Sequence, residues 1–152
     1  MKVLLHPYAQ RMRTGMPNPK NYPYWKELLE IMVPYGYRFL QIGTQGDLPL
    51  TSDFRFHLQL KEIEPIVDEC DFWISIDSFL PHLVHSYNRK PGVVIFSASD
   101  PNIFGYSYNL NILTSRKFIR KKQFEAWEME SFNRLAFPKP EVLFQQIINW
   151  RK

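Results

Sequence analysis

Short apolar runs alternate along this chain with polar loops and with stretches whose apolar residues recur every three or four positions. Such runs are typical of buried strands, and the three-and-four spacing is typical of helices that bury one face. The runs predict strands at residues 3–5, 37–42, 72–76 and 93–96, with a shorter run at 54–58. The spacing predicts helices at residues 24–33, 59–69, 81–88 and 140–150. Beyond residue 105, the pattern predicts an edge strand at 109–113 and a helix at 116–134.

The alternation of strands with helices indicates the fold class. Strands that are separated by helices pair in parallel, because the helix carries the chain back to the starting edge of the sheet. Runs that are apolar on both pleat faces, such as residues 93–96 (VVIF), fit strands covered by helices on both sides. The sequence therefore predicts one α/β domain over residues 1–152, Rossmann-like and doubly wound, with a mainly parallel sheet flanked by helices.

The composition narrows the class of protein without identifying its function. Of the 152 residues, 45% are apolar and 22% are charged, a balance typical of globular rather than disordered chains. No stretch reaches the ~18 uninterrupted apolar residues of a membrane-spanning helix. Only three apolar residues follow Lys2, too few for a signal peptide. Cys70 is the single cysteine and excludes an internal disulfide. We therefore expect a cytoplasmic protein.

Polar residues cluster in the loops that follow the predicted strands. In a parallel sheet, ligands bind beyond the carboxyl ends of the strands, near the point where the strand order reverses. The loops at residues 6–20, 43–47, 77–82 and 97–105 should therefore share one rim. Their polar residues are Gln10, Arg11, Arg13, Lys20, Asp47, Asp77, Ser78, His82, Ser97, Ser99 and Asp100. Basic side chains opposite the start of a helix favour an anion site, and the net charge of +4 allows one.

The same residues have simpler structural interpretations. Asp77 and Ser78 precede a predicted helix, which either side chain would cap. Gly43 alone is typical of a turn. Neither G-x-G-x-x-G nor a P-loop is present, so the two strongest nucleotide-binding motifs are absent. The histidines are scattered, and the pair His82 and His85 has no carboxylate at ligand spacing. We therefore expect no metal and no cofactor.

Several motifs, in order, resemble those of one enzyme family. Residues 71–83 (DFWISIDSFLPHL) match a strand that ends in Asp-Ser/Thr-Gly, with a histidine five positions after the aspartate. Residues 90–101 (KPGVVIFSASDP) match Lys-Pro, an apolar strand and Phe-Gly-x-x-x-Pro. The shorter matches are residues 3–7 (VLLHP), 20–23 (KNYP), Gly43 with Asp47, and 140–142 (PEV). Together they resemble the heptosyltransferases, glycosyltransferase family 9, over roughly residues 2–105 and 138–150.

The resemblance implies a fold, a ligand and a set of site residues. The matching part of that family is the C-terminal, donor-binding half of a two-domain GT-B enzyme, which binds a nucleotide-diphosphate sugar. By resemblance, Lys20 would meet a phosphate, while Asp77, Ser78, Phe79 and His82 would line the diphosphate or the sugar. Gly43 and Asp47 would face the nucleoside, and Ser97 takes the place of the family's glycine after the next strand. Further candidates on the rim are Gln10, Arg11, Arg13 and Asp100.

The departures from the family pattern leave two functions open. Phe79 stands where the family has a glycine that lets the backbone approach a phosphate. The acceptor-binding half has no counterpart in these 152 residues, so transfer would need a separate acceptor-binding chain or a homodimer. The chain is then either a glycosyltransferase-like donor domain or a module that binds a nucleotide or nucleotide sugar without turnover.

A third function rests on a basic segment, residues 116–122 (RKFIRKK), which has aromatic residues nearby. Basic side chains together with aromatic side chains are typical of surfaces that contact phosphates and stack on nucleobases. The alternative is a solvated helix face, which we favour because acidic residues follow at positions 125, 128 and 130 and offset the charge. A nucleic-acid or protein interaction domain is therefore the last alternative.

Overall fold

The computed structural model describes residues 1–124 and 131–152 of the chain. The strands are β1 (Lys2–His6), β2 (Arg38–Gly43), β3 (Asp53–Phe56), β4 (Phe72–Ile76), β5 (Gly92–Phe96) and β6 (Leu110–Leu113). The α-helices are α1 (Trp25–Met32), α2 (Leu60–Glu69), α3 (Phe79–Tyr87), α4 (Pro101–Phe104) and α5 (Pro140–Arg151). Short 3-10 turns span Val33–Tyr35, Arg116–Phe118 and Arg134–Ala136. The predicted strands are confirmed, including the edge strand at 109–113.

The strands form one parallel sheet in the order β3-β2-β1-β4-β5-β6. The chain builds outward from β1 to β3 on one side and then returns to place β4 beside β1. The strand order therefore reverses between β1 and β4, where their carboxyl ends open a crevice. This arrangement confirms the predicted doubly wound α/β fold.

Apolar layers cover both faces of the sheet. Alternate residues of β1 point to opposite sides: Val3 and Leu5 join the layer with α1 and α5, whereas Leu4 joins the layer with α2 and α3. The central strands β4 and β5 are buried at every position, as expected of strands between two helical layers. Trp73 of β4 lies so close to Gly92 of β5 that a Cβ there would come within 2.0 Å of the indole. The glycine is therefore needed for packing.

The ends of the helices follow the local sequence. Apolar residues at three-and-four spacing put Trp25, Leu28, Leu29 and Met32 of α1 in the core, and Gly36 follows this helix with a left-handed φ of 83°. α2 begins with a capping box between Gln59 and Glu62. α3 begins at Phe79, two residues before the predicted start at 81.

The parallel connection between β2 and β3 has no helix. Instead, the buried Gln41 side chain holds the returning loop: its Nε2 donates to the Leu48 carbonyl at 3.0 Å, and its Oε1 accepts from Leu50 N at 2.7 Å. These two bonds satisfy one carbonyl and one N–H of the loop backbone. The loop at residues 44–52 is thus fixed by one side chain of the adjacent strand.

The predicted helix at 116–134 is wrong within the described residues. Only Arg116–Phe118 is helical in its first part, as a 3-10 turn, and no helix follows over residues 119–124. Arg116 pairs at 2.7 Å with Asp100, which lies 16 positions earlier in the chain. Arg120 donates to the Gln123 carbonyl. Tertiary and turn contacts therefore take the place of helical hydrogen bonds. Residues 125–130 of the prediction, with their offsetting acidic side chains, lie outside the described part.

No helix within residues 1–124 and 131–152 combines the length and the apolar character needed to cross a bilayer.

Candidate functional site

A cleft of about 670 Å³ opens at the carboxyl ends of β1, β2 and β4, where the strand order reverses. The predicted site residues that line it are Gln10, Arg11, Lys20, Asp47, Asp77, Ser78 and Phe79. They come from three loops that are far apart in the sequence, as expected of a shared rim. The structure thus brings most of the predicted residues together.

An ion pair lies inside this cleft. Lys20 Nζ donates to Asp77 Oδ2 at 2.8 Å, and the two side chains are only 19% and 10% exposed. The loop after β1 positions Lys20 for this contact, because Asn18 accepts from Lys20 N and donates to the Gln10 carbonyl, both at 3.0 Å. The prediction that Asp77 caps the helix is wrong, since its carboxylate holds the neighbouring cation instead.

The start of α3 has no side-chain cap. Ser78 occupies the N-cap position, but its hydroxyl makes no hydrogen bond to the backbone of the first turn. The prediction that Ser78 caps α3 is therefore also wrong. Uncapped N–H groups at a helix start carry partial positive charge and attract anions. The Lys20 ammonium and the start of this nine-residue helix meet in the same cleft.

The Ser78 hydroxyl belongs to a partly buried hydrogen-bond chain. Ser78 Oγ lies 2.9 Å from His6 Nδ1 and 3.0 Å from Ser75 Oγ, and Ser75 donates to the Ile76 carbonyl at 2.6 Å. His6 is the last residue of β1, and burial lowers its pKa to about 4. The imidazole is therefore neutral at pH 7. Because the Ser78 hydroxyl is engaged with His6 and Ser75, only the backbone N–H of Ser78 is left to donate to an anion.

The loop after β2 supplies a carboxylate to the other end of the cleft. Asp47 Oδ2 accepts from Thr44 N at 2.7 Å, which closes the turn. A Cβ at Gly43 would lie 2.5 Å from that oxygen, so a side chain at this position would displace the Asp47 carboxylate. The turn glycine itself is Gly46, with φ 95°. Gly43 lines a smaller cleft of about 340 Å³ beside the main one.

A second cleft of about 380 Å³ adjoins the first, and Lys20, Asp77, Ser78 and Phe79 line both. His82 lies in this second cleft and bonds through Nδ1 to the Tyr106 hydroxyl at 2.8 Å. The Phe79 ring is 40% exposed and meets the His6 ring edge-on, at 4.6 Å between centroids. Phe79 therefore stands at the junction of the two clefts.

Three predicted residues lie away from these two clefts. Ser97 is buried and lines a separate cleft of about 280 Å³ beside the 3-10 turn. Asp100 caps α4 by accepting from Asn102 N, and its bond to Arg116 holds the pKa of this carboxyl below its ordinary value. Asp100 thus has a structural role. Arg13 is exposed on the first loop.

The side chains of the main cleft that the residue predictions missed include His6, Tyr8 and Asn18. Position was the available signal, since His6 ends β1 at the rim and the other two follow in the same loop. Tyr8 lies near Asp47, and burial, together with that carboxylate, raises the pKa of the phenol to about 12. Both His6 and Tyr8 are consequently neutral at pH 7.

Two solved structures share this fold. One is the E. coli ADP-heptose LPS heptosyltransferase II, with a TM-score of 0.68 and 17% identity over 98% of this chain and 46% of that one. The other is E. coli heptosyltransferase WaaC with ADP-2-deoxy-2-fluoro heptose, with a TM-score of 0.64 and 15% identity over 97% of this chain and 42% of that one. The chain thus spans less than half of each.

These likenesses agree with the resemblance carried by the sequence motifs. At the level of the fold, the chain fits a C-terminal, heptosyltransferase-like domain. No protein-family model matches the chain, and no curated protein matches it in sequence.

Proposed function

We propose that the chain binds a nucleotide-diphosphate sugar in the cleft between β1 and β4. The observation that carries the proposal is the meeting of Lys20 with the uncapped start of α3 at the point where the strand order reverses. A diphosphate there would receive hydrogen bonds from an ammonium and from free N–H groups. The heptosyltransferase fold and the sequence motifs support the same ligand class.

The proposed ligand extends along the rim in both directions from its diphosphate. Gly43 and Asp47 lie toward the nucleoside, because a carboxylate accepts from ribose hydroxyls. Phe79 and His82 lie toward the sugar, in the second cleft. Gln10, Arg11 and Arg13 belong to the flanking loop, and Arg11 lines the cleft beside Lys20.

The proposal extends to sugar transfer when a second chain supplies an acceptor. In that reaction the bond from the anomeric carbon to the diphosphate breaks, the acceptor oxygen bonds to that carbon, and a base takes the acceptor proton. The alternative is a module that binds without turnover. Release of nucleoside diphosphate in the presence of candidate partner chains supports transfer, and tight binding without release supports the module.

Lys20→Ala tests the binding site. We expect the affinity for a nucleoside diphosphate to fall at least tenfold, because the variant removes the cation and leaves the Asp77 carboxylate unpaired beside the phosphates. Calorimetric titration with ADP, GDP and UDP and with their sugars measures the loss. Lys26→Ala is the matched control, since Lys26 is an exposed lysine of α1 outside the clefts. Equal affinities in the Lys20 and Lys26 variants would contradict the proposal.

A further inference from the structure

His6 is a cleft residue to which the proposed function assigns no role. It ends β1 at the reversal point and is 6% exposed, and it lines the main cleft and the smaller cleft beside it. Its Nδ1 bonds to Ser78, while its Nε2 has no hydrogen-bond partner within residues 1–124 and 131–152. Fully buried side-chain atoms without a partner occur in Ser99, Asn109 and Asn111, and His6 Nε2 is not one of them. The atom therefore keeps contact with the open space of the clefts.

The neighbouring hydroxyls determine which ring nitrogen of His6 carries the proton. The Ile76 carbonyl only accepts, so Ser75 gives its single proton to that bond. Ser75 Oγ must then accept from Ser78, which uses the single proton of Ser78. Ser78 Oγ is left to accept from His6, and hence Nδ1 is the protonated nitrogen. In a neutral ring, the other nitrogen then bears a lone pair.

We propose that His6 Nε2 is a fixed hydrogen-bond acceptor that selects a ligand group with an O–H or N–H donor at the β1 end of the cleft. This inference rests on the proposed function and adds a specificity-determining residue to it. Burial and the nearby positive end of α3 both disfavour the imidazolium. Ionised phosphate oxygens only accept hydrogen bonds, so a lone pair at Nε2 cannot bind them. The diphosphate is thereby directed to Lys20, and a hydroxyl or amino group of the nucleoside or the sugar is directed to His6.

The tautomer is tested on the ligand-free chain. Long-range ¹H–¹⁵N spectra at pH 7 should assign His6 as neutral, with the proton on Nδ1. Saturation with ADP, GDP or UDP, or with one of their sugars, should then move the Nε2 resonance from that of a free lone pair toward that of a hydrogen-bonded acceptor. A proton on Nε2 in the free chain, or an Nε2 resonance unchanged at saturation, would overturn the inference.

Two substitutions of His6 distinguish the role of Nδ1 from that of Nε2. His6→Asn keeps an amide donor near the position of Nδ1 and has nothing at Nε2, whereas His6→Gln reaches the position of Nε2 with an amide oxygen. We expect the affinity for the nucleotide sugar to fall about tenfold in His6→Asn relative to the wild type, equivalent to about 1.4 kcal/mol. In His6→Gln, the same affinity should stay within about threefold of the wild type. Unfolding midpoints of both variants report on the fold, and the tautomer experiment needs no variant.

The choice of ligand identifies the source of the donor group. A loss in His6→Asn with a bare nucleoside diphosphate places the donor on the nucleoside, and a loss confined to the nucleotide sugar places it on the sugar. Inorganic pyrophosphate has no such donor and should bind both variants and the wild type equally. Equal affinities of the two variants for every probe would overturn the inference and leave the proposed function standing. A wild-type chain that binds no nucleotide at all would overturn the proposed function, and the assignment of a ligand to His6 with it.

Discussion

At the scale of single residues, the cleft is organised by polar side chains that bind each other before any ligand arrives. Asp77 holds Lys20, and Ser78 holds His6, so each of the two residues after β4 fixes a partner from the loop or strand at the chain's beginning. His6, Lys20 and Asp77 are largely buried and Ser78 is partly buried, which limits their freedom to rearrange. A site of this kind is preorganised and loses little conformational entropy when it binds.

His6 should make the stability of the chain depend on pH. Its pKa is lowered from 6.5 to about 4 in the folded state, so between these values the unfolded state binds more protons. As far as His6 is concerned, the free energy of unfolding is therefore highest above about pH 6.5 and falls as the pH decreases toward 4. We expect a loss of about 2 kcal/mol between pH 7 and pH 5. Urea unfolding at the two pH values measures it.

His6→Gln is the control for this pH dependence, because glutamine does not titrate. The difference in stability between pH 7 and pH 5 should shrink in that variant by the same amount. Asp100 and Glu69, whose carboxyl pKa values are lowered by their cationic partners, contribute below this range. An identical pH slope in the wild type and the variant would show that His6 titrates normally in the folded chain.

At the scale of elements, β2 and the loop after it act as one unit. Gln41 is fully buried in β2 and clamps Leu48 and Leu50, and the same loop carries Asp47 to the main cleft. The position of this carboxylate thus depends on a side chain that does not line the cleft. The clamp also explains how two adjacent parallel strands are joined without a crossover helix.

Gln41→Met should release this loop. Methionine keeps a long side chain but leaves the Leu48 carbonyl and the Leu50 N–H without their partner. We expect the free energy of unfolding to fall by about 1–3 kcal/mol. If Asp47 contacts the nucleoside, the affinity for nucleoside diphosphates should fall as well, while that for pyrophosphate should not. Arg38→Met, an exposed position on the same strand, is the control for denaturant unfolding and titration. A stability equal to that of the control would show that the clamp is dispensable.

At the scale of the whole molecule, the two apolar layers share one sheet. Trp25 belongs to the layer with α1 and α5, whereas Trp73 belongs to the layer with α2 and α3. Each strand of the centre contributes alternate side chains to both layers. The loss of either layer would therefore expose the strands that support the other.

We expect the chain to unfold in a single cooperative transition, as one domain over residues 1–152. Replacing Trp25, Trp127 and Trp150 by phenylalanine leaves Trp73 as the reporter of the layer with α2 and α3. Replacing Trp73 and Trp127 leaves Trp25 and Trp150 as reporters of the layer with α1 and α5, so the two variants report on opposite faces. The fluorescence midpoint of each variant should coincide with its own midpoint by far-UV circular dichroism. Separate midpoints for the two layers would show that the chain is not a single folding unit.

The sheet could be predicted from the sequence, because a strand that is buried between two helical layers has a run of apolar residues on both pleat faces. Residues 93–96, and residues 72–76 apart from Ser75, are apolar on both pleat faces and form buried strands near the middle of the sheet. The strand-end rule also placed Lys20, Asp77 and Ser78 on one rim, since it depends only on the order of strands and loops.

The pairing of these residues could not be predicted from the sequence, because it depends on the folded chain. Lys20 meets Asp77 across 57 positions, and His6 meets Ser78 across 72, distances over which no local pattern reports. The same reason accounts for the wrong helix at 116–134, where helical periodicity and charge gave way to the contact of Arg116 with Asp100. A capping residue and a site residue have the same local sequence, and the partner that folding brings to the side chain distinguishes them.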